Sequence, residues 1–373
     1  MLKSITIEGF KSIKKEQITL GALNVLIGAN GSGKSNFISF FRFIQQMTSG
    51  SLQEYVGRSG GADALLYYGA KTTEQLAVNL LWSEGKEEFE YKARLVTSTQ
   101  GRLVFREEHI SGPTAYKNKG FIVDLGGGQF ETRIPEEIAR MKAKGRVFFI
   151  ADKIVDRLSG WRVYHFHDTS SNAKVKLPSD IKDNSFLKSD ASNLAPYLYW
   201  LREVKPEYYS KIVRTVRLAA PFFKDFHLRL DAFGGNTILL EWLEQGSDTP
   251  FGPDALSDGT LRFICLATLL QQPTIRMPST ILIDEPELGL HPYAITLLAG
   301  MLQSIATERQ VIVSTQSVPL VNQFNAQELI VVNREGGESK FQRLNILDLE
   351  AWMGEYALGE LWEKNLLGGR PGR

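Results

Sequence analysis

The eight residues Gly28-Ala29-Asn30-Gly31-Ser32-Gly33-Lys34-Ser35 constrain the fold more than any other stretch of the chain. They follow an apolar run, Asn24 to Ile27, that reads as a strand, and they open a helix from Lys34. Their spacing, G-x-x-x-x-G-K-[ST], is that of a phosphate-binding loop. Glycines at 28, 31 and 33 permit backbone angles that a side chain forbids, so successive N–H groups can turn inward around phosphate oxygens. The helix behind adds the positive end of its dipole. Lys34 would place a cation on the β- and γ-phosphates, and the Ser35 hydroxyl would hold Mg²⁺. The alternative is a glycine-rich turn with no ligand, and the strand–loop–helix context weighs against it.

Composition narrows the class further. A chain of 373 residues can bury a large core and has room for two or three domains. The 43 Lys+Arg balance 42 Asp+Glu to a net charge of +1, so any basic surface for nucleic acid must be local. The single cysteine, Cys265, excludes an intramolecular disulfide and reads as a small core residue, which fits a reducing compartment. Met1 to Thr6 alternates like a strand and lacks the apolar block of a signal peptide. No stretch approaches 18 uninterrupted apolar residues. A cytoplasmic protein with no membrane partner is expected.

Periodicity gives three segments. Residues 1–110 read as a lobe with the phosphate loop and antiparallel strands, among them Leu2 to Glu8, Gln75 to Trp82 and Phe89 to Val96. Within it the Gly- and Ser-rich stretch Ser49 to Gly61 reads as a mobile loop. Residues 111–225 read as a mostly helical insertion. It has a loop or hairpin over Ser111 to Gly128, helices at Pro135 to Lys144, Phe149 to Leu158 and Asn193 to Arg217, and an exposed linker over Asp168 to Asn184. Residues 226–373 return to strands at Phe226 to Leu230 and Thr237 to Leu243, then alternate buried strands with helices, which predicts a largely parallel sheet. The tail after Leu358 reads as frayed.

Ile281-Leu282-Ile283-Asp284-Glu285 is an apolar strand that ends in two carboxylates, and parallel sheets place ligands at that end of a strand. Asp284 would hold Mg²⁺, and Glu285 would orient or deprotonate a water in line with the γ-phosphate. Leu256-Ser257-Asp258-Gly259-Thr260 precedes a helix. Ser257 and the Gly259 backbone could bind phosphate there, or Ser257 could simply cap the helix.

The order of phosphate loop, Leu-Ser-Asp-Gly-Thr and Ile-Asp-Glu-Pro-Glu-Leu-Gly-Leu-His-Pro (283–292) resembles the heads of ABC-type ATPases. Among them it resembles the branch that holds the structural-maintenance-of-chromosomes proteins, the RecF-type recombination ATPases and the OLD-type phage-defence ATPases. Ile5-Thr6-Ile7-Glu8-Gly9-Phe10-Lys11-Ser12-Ile13 is similar to the first strand and turn of that branch. Gly60-Gly61-Ala62, Trp200 and Leu358-Gly359-Glu360-Leu361-Trp362 are similar to compact ATPases of the AAA-21 kind, so the likeness covers most of the chain.

The resemblance implies an α/β fold: an ABC-ATPase head with a mixed or parallel sheet, an N-terminal antiparallel β-subdomain and a helical insertion. It implies ATP and Mg²⁺ as cofactors, held between two heads of a homodimer. Asn30, Gly31, Ser32, Gly33, Lys34, Ser35 and Asn36 would cradle the phosphates, with Lys11 and Ser12 near adenine and phosphate. Ser257 and Gly259 would touch the γ-phosphate of the partner head's nucleotide, and His291 would lie in the stretch that crosses the dimer seam, the alternative being a helix-start histidine without chemical duty. Lys34 and Glu285 would serve catalysis. Where the family often has a switch histidine, this chain has Gln316, which hydrogen-bonds but cannot carry an imidazolium's charge, so slow hydrolysis is expected.

Little chain follows Gln316, so a nuclease would be a separate effector. The leading reading is an ATP-driven dimeric switch on DNA or an effector, in DNA repair or anti-phage defence. Local basic stretches at Arg140, Lys142, Lys144 and Arg146, and at Lys205, Lys211, Arg214 and Arg217, are candidates for DNA. The competing reading is a non-catalytic ATP-bound scaffold. A transporter's ATPase subunit and a small-molecule kinase fit the motif set less well.

Overall fold

Alternating apolar residues build the first sheet. In the computed structural model, the residues described are 1–112, 121–143, 157–158, 160–230, 235–345 and 356–369. Contacts divide the chain into two units, Met1–Trp161 with Ala326–Arg373, and Arg162–Asn325.

The first unit opens with β1 (Leu2–Phe10), β2 (Ile13–Thr19) and β3 (Leu23–Ile27). Helices α1 (Lys34–Thr48) and α2 (Leu52–Arg58) follow, then β4 (Gln75–Glu84), β5 (Glu87–Thr97), β6 (Leu103–Gly112), β7 (Phe121–Gly126) and α3 (Ile134–Ala143). One antiparallel sheet runs in the order β2-β1-β4-β5-β6-β7. Leu76, Val78, Leu80 and Trp82 of β4 and Phe89, Tyr91, Ala93 and Leu95 of β5 all point to one buried face, as a period of two requires. Leu2 and Ile5 are both buried although three apart, because the β1–β4 register shifts between Leu2 and Ser4. Phe10 meets Phe40 and Phe43 of α1 with ring centroids 5.5 and 5.4 Å apart, so α1 is held by apolar packing. Each such buried ring contributes about 1.5–3 kcal/mol.

At the junction of the units lies β8 (Trp161–Tyr164). The second unit then contains β9 (Ser179–Asp180), α4 (Leu194–Val204), α5 (Pro206–Ala219), β10 (Phe223–Phe226), β11 (Thr237–Ile238), β12 (Trp242–Glu244) and β13 (Pro250–Phe251). Helix α6 (Asp258–Gln271), β14 (Thr280–Asp284), α7 (Pro292–Ala306), β15 (Gln310–Thr315) and α8 (Val318–Val321) complete it. β14 and β15 pair in parallel, with Asp284 opposite Ser314. Both strands are continuous apolar runs buried on both faces.

The chain returns to the first unit with β16 (Leu329–Glu335), β17 (Glu338–Arg343) and α9 (Leu358–Glu363). β16 pairs in parallel with β3, and β17 folds back antiparallel on β16. The fold is therefore mixed α/β, with antiparallel and parallel pairing, as the sequence predicts.

Four local expectations change. Ser49 to Gly61 is no loop: it contains α2, whose first N–H groups, from Leu52 and Gln53, donate to the Glu131 carboxylate at 2.8 and 2.9 Å. A cap supplied from so far along the chain leaves no local signal. Asp168 to Asn184 is not wholly exposed, since Ala173 and Val175 are buried and Asp180 pairs with Thr237. The strands expected at Phe226–Leu230 and Thr237–Leu243 are shorter and displaced, at β10, β11 and β12. The tail is not frayed through Gly369: Leu361 and Trp362 of α9 are buried. Most of the helix expected over 149–158, Lys144 and Arg146 of the first basic stretch, and Arg370 to Arg373 lie outside the described residues. Among the described residues no helix is long and apolar enough to cross a membrane.

Candidate functional site

The phosphate loop joins β3 to α1. Gly31 and Gly33 take left-handed φ values of 76° and 117°. Gly28 does not, and its glycine has another reason: a Cβ there would lie 2.4 Å from the Val332 carbonyl oxygen and 2.8 Å from Ser32 Oγ. Lys34 is buried and its ammonium closes the loop on itself, donating to the carbonyl oxygens of Gly28 at 2.7 Å and Ala29 at 3.1 Å. Asn30 and Ser35 are exposed. The Ser32 hydroxyl is buried with no hydrogen-bond partner among the described residues. A buried hydroxyl left so is costly, and an acceptor such as a phosphate oxygen would satisfy it.

A chain of hydroxyls ties the loop to the β1–β2 turn. Asn36 donates its side-chain amide to Ser12 Oγ at 2.7 Å, and Ser339 Oγ lies 2.7 Å from Ser12 Oγ and donates to the Ser32 carbonyl at 2.6 Å. Ser12 and Asn36, both expected at the site, are thus brought together. Lys11 sits in the same turn at a φ of 48°, rare for a residue with a side chain. Its ammonium donates to Ser39 Oγ at 3.0 Å. Burial, and then the guanidinium of Arg42, hold Lys11 below the usual lysine range. A bound polyanion would reverse that shift. Lys11, Ser12, Asn36, Tyr67, Tyr68 and Arg334 line a pocket of about 330 Å³ next to the loop.

Sequence reasoning missed Ser339, Arg334, which donates to the Gly31 carbonyl at 3.2 Å, and Gly369, whose carbonyl accepts from the Ala29 N–H at 2.5 Å. All three come from beyond residue 325 and carry no motif of their own.

In the second unit, Ser257 caps α6: its Oγ accepts from the Thr260 N–H at 3.2 Å and lies 2.8 Å from Thr260 Oγ1. The helix-cap alternative therefore holds for its hydroxyl. Gly259 packs on the Gly289 carbonyl, where a Cβ would come within 2.1 Å. Ser257, Gly259, Thr260, Gly289 and His291 line a pocket of about 110 Å³. His291 caps α7, with Nδ1 accepting from the Tyr293 N–H at 3.3 Å. Arg262, unsignalled in the sequence, ties this stretch down by donating to the carbonyls of Leu288, Phe166 and His167.

The two carboxylates emerge at the carboxyl end of β14, where the parallel strand ends. Asp284 Oδ1 accepts from the Ser314 hydroxyl, and the Glu285 N–H donates to the Ser314 carbonyl at 2.8 Å. His167 Nε2 lies 2.9 Å from the Asp284 carbonyl oxygen. Glu285 has a φ of 43°, a left-handed value for a residue with a side chain, and such strain collects at functional positions. The Gln316 side-chain amide donates to Glu285 Oε1, so these two expected residues meet. On α5, Lys211, Arg214 and Arg217 are exposed on the face opposite buried Tyr209, Ile212, Val213 and Val216.

The loop fits a phosphate group in two respects, the left-handed glycines at its turn and the orphan Ser32 hydroxyl. The Ser35 hydroxyl and the Asp284 carboxylate are hard oxygen donors, the kind that suits Mg²⁺.

The family model AAA_21, described as "AAA domain, putative AbiEii toxin, Type IV TA system", matches residues 23–322. Over 72 residues, 18% of this chain, the sequence is 42% identical to "Structural maintenance of chromosomes protein 3" of Arabidopsis thaliana. The match spans only 6% of that relative's length. Among solved structures, an SMC head bound to the C-winged helix domain of ScpA aligns with a TM-score of 0.60 at 17% identity, covering 93% of this chain and 99% of the other. The Smc head of Pyrococcus furiosus with an extended coiled coil, bound to the C-terminal domain of ScpA, aligns at 0.59 and 16% identity over 95% and 98%. At such identity the likeness is one of fold.

Proposed function

The chain belongs to the AAA_21 family, and from that premise we propose that it is an ABC-type ATPase of the SMC/RecF-like branch, an ATP-hydrolysing switch whose heads pair around Mg-ATP. The observation that carries this reading is the phosphate loop, with its left-handed glycines and the buried hydroxyl of Ser32, which has no hydrogen-bond partner among the described residues. Asn30 to Asn36 receive the phosphates through loop N–H groups, and Lys34 leaves the carbonyls of Gly28 and Ala29 for phosphate oxygen. Lys11 and Ser12 line the pocket beside the loop and would face adenine and phosphate. Ser35 and Asp284 would hold Mg²⁺, which when bound offsets negative charge on the phosphates. Glu285 orients the attacking water and accepts its proton, while Gln316 fixes the orientation of that carboxylate. Ser257 and Gly259 of a second copy close over the γ-phosphate, so that pairing depends on it.

The switch would act on DNA or on an effector protein, in DNA repair or anti-phage defence. The exposed Lys211, Arg214 and Arg217 support a phosphate backbone as one partner, and the ScpA domain bound to the SMC head supports a protein partner as another. Gln316 favours a second reading, a non-hydrolysing scaffold held closed by ATP, because no imidazolium is available there. Turnover of ATP with and without duplex DNA separates the two. The switch reading expects measurable turnover that Glu285→Gln abolishes and Lys34→Ala removes together with nucleotide binding. Tight ATP binding with no turnover under either condition would leave the scaffold.

A further inference from the structure

Glu287 lies two residues beyond Glu285 and belongs to no expected site. Its side chain is 8% exposed, yet it is a carboxyl group with no cation beside it in any ion pair among the described residues. Its Oε1 instead accepts two hydrogen bonds from one short segment: from the Thr315 hydroxyl at 2.5 Å and from the Gln316 backbone N–H at 3.3 Å. Thr315 Oγ1 in turn accepts from the Ser317 N–H at 3.0 Å, which fixes the start of α8. The second oxygen, Oε2, is buried and has no partner among the described residues. Burial pushes the Glu287 carboxyl above the ordinary glutamate range, and the nearby Glu285 charge adds to this.

The end of β15 and the turn after β14 are therefore laced together residue by residue. Ser314 meets Asp284, Thr315 and the Gln316 backbone meet Glu287, and the Gln316 side chain meets Glu285. A glutamine side chain has three rotatable bonds, and a backbone already held in place lessens the freedom that must be lost for it to stay on one partner. Buried polar groups are retained at a cost, so a carboxyl that spends its one satisfied oxygen on Thr315 and Gln316 calls for a use.

We propose that Glu287 is a positioning residue, which fixes the backbone at Thr315–Gln316 so that the Gln316 side chain stays on the Glu285 carboxylate. Its effect on turnover rests on the ATPase reading above; its effect on Gln316 does not.

The test reads Gln316 directly. In the full-length protein with amide nitrogens labelled, the Gln316 side-chain NH₂ resonances are followed in wild type, Glu287→Ala, Thr315→Val and Glu287→Gln. The proposal expects Glu287→Ala and Thr315→Val to move that pair to the position of a solvated glutamine. Glu287→Gln, which keeps an acceptor for both donors, should hold it near the wild-type position. In parallel, kcat for ATP should fall at least fivefold in the first two variants with KM changed less than twofold, and recover in the third. An absent wild-type turnover would count against the ATPase reading alone, since the resonances still decide the positioning. If the pair stays in place in both Thr315→Val and Glu287→Ala, or in Thr315→Val alone should Glu287→Ala not fold, Glu287 is only a packing residue and the proposal is overturned.

Discussion

The Ser339 hydroxyl donates to the carbonyl oxygen of Ser32 at 2.6 Å across 307 positions of sequence. That contact brings β17 so close to the phosphate loop that a Cβ on Gly33 would lie 2.0 Å from Ser339 Oγ. Gly33 is thus fixed twice, by its φ of 117° and by Ser339. Gly33→Ala should cost on the order of 1–3 kcal/mol in stability and at least tenfold in ATP affinity. Adding Ser339→Gly should recover part of the stability but not all, because the backbone strain stays. Thermal melting and nucleotide titration of both variants check this. Full recovery in the double variant would remove φ from the explanation.

A hydrogen bond to a charged group contributes about 1.5–3 kcal/mol, so the Gln316–Glu285 contact is worth roughly ten- to a hundredfold in rate if it orients the general base. Gln316→Ala should therefore lower kcat by at least tenfold and leave nucleotide affinity alone. An unchanged kcat would show that Gln316 takes no part.

Glu108 offers a pH test of the first unit. It is fully buried and accepts from Tyr91 Oη at 2.9 Å, Thr132 Oγ1 at 2.6 Å and the Arg133 N–H at 3.2 Å. Burial nonetheless holds its carboxyl above the ordinary value of 4.5. With the folded pKa above the unfolded one, the stabilisation is complete below pH 4.5 and is lost as pH rises through the folded pKa. Melting temperatures of wild type and Glu108→Gln, measured from pH 4 to pH 8, should diverge in favour of the variant as pH rises. A gap that does not vary with pH contradicts this.

Cys265 is buried in α6, and burial pushes its thiol up to about 12. The native protein should react with a thiol reagent at pH 8 only at the rate of unfolding, whereas protein in denaturant should release one equivalent at once. Fast labelling of the native protein would place α6 differently.

The parts of the fold that the sequence made legible are those with strong periodicity. The alternation in β4 and β5, the apolar runs of β3, β14 and β15, and the loop between β3 and α1 were all readable locally. What escaped depends on partners distant in sequence. Helix α2 needs the Glu131 carboxylate as its cap, and α9 needs a surface to bury Leu361 and Trp362. At the candidate site, Ser12 and Asn36 could be named from the resemblance, but Ser339, which joins them to Ser32, is one serine in an unremarkable strand. The motif alone predicts an unusual backbone angle at Gly28, whereas the glycine is there because Val332 and Ser32 leave no room for a side chain. Glu287 carries no signal of its own in the sequence, and only its buried contacts with Thr315 and Gln316 distinguish it.

The pairing of two heads around Mg-ATP is tested most directly by the solution mass of the Glu285→Gln protein, by sedimentation, with saturating Mg-ATP. The account predicts a dimer of twice 41.8 kDa that reverts to monomer without nucleotide and does not form when Ser257→Arg is added. A monomer at saturating Mg-ATP, or a dimer indifferent to both nucleotide and Ser257, would contradict it.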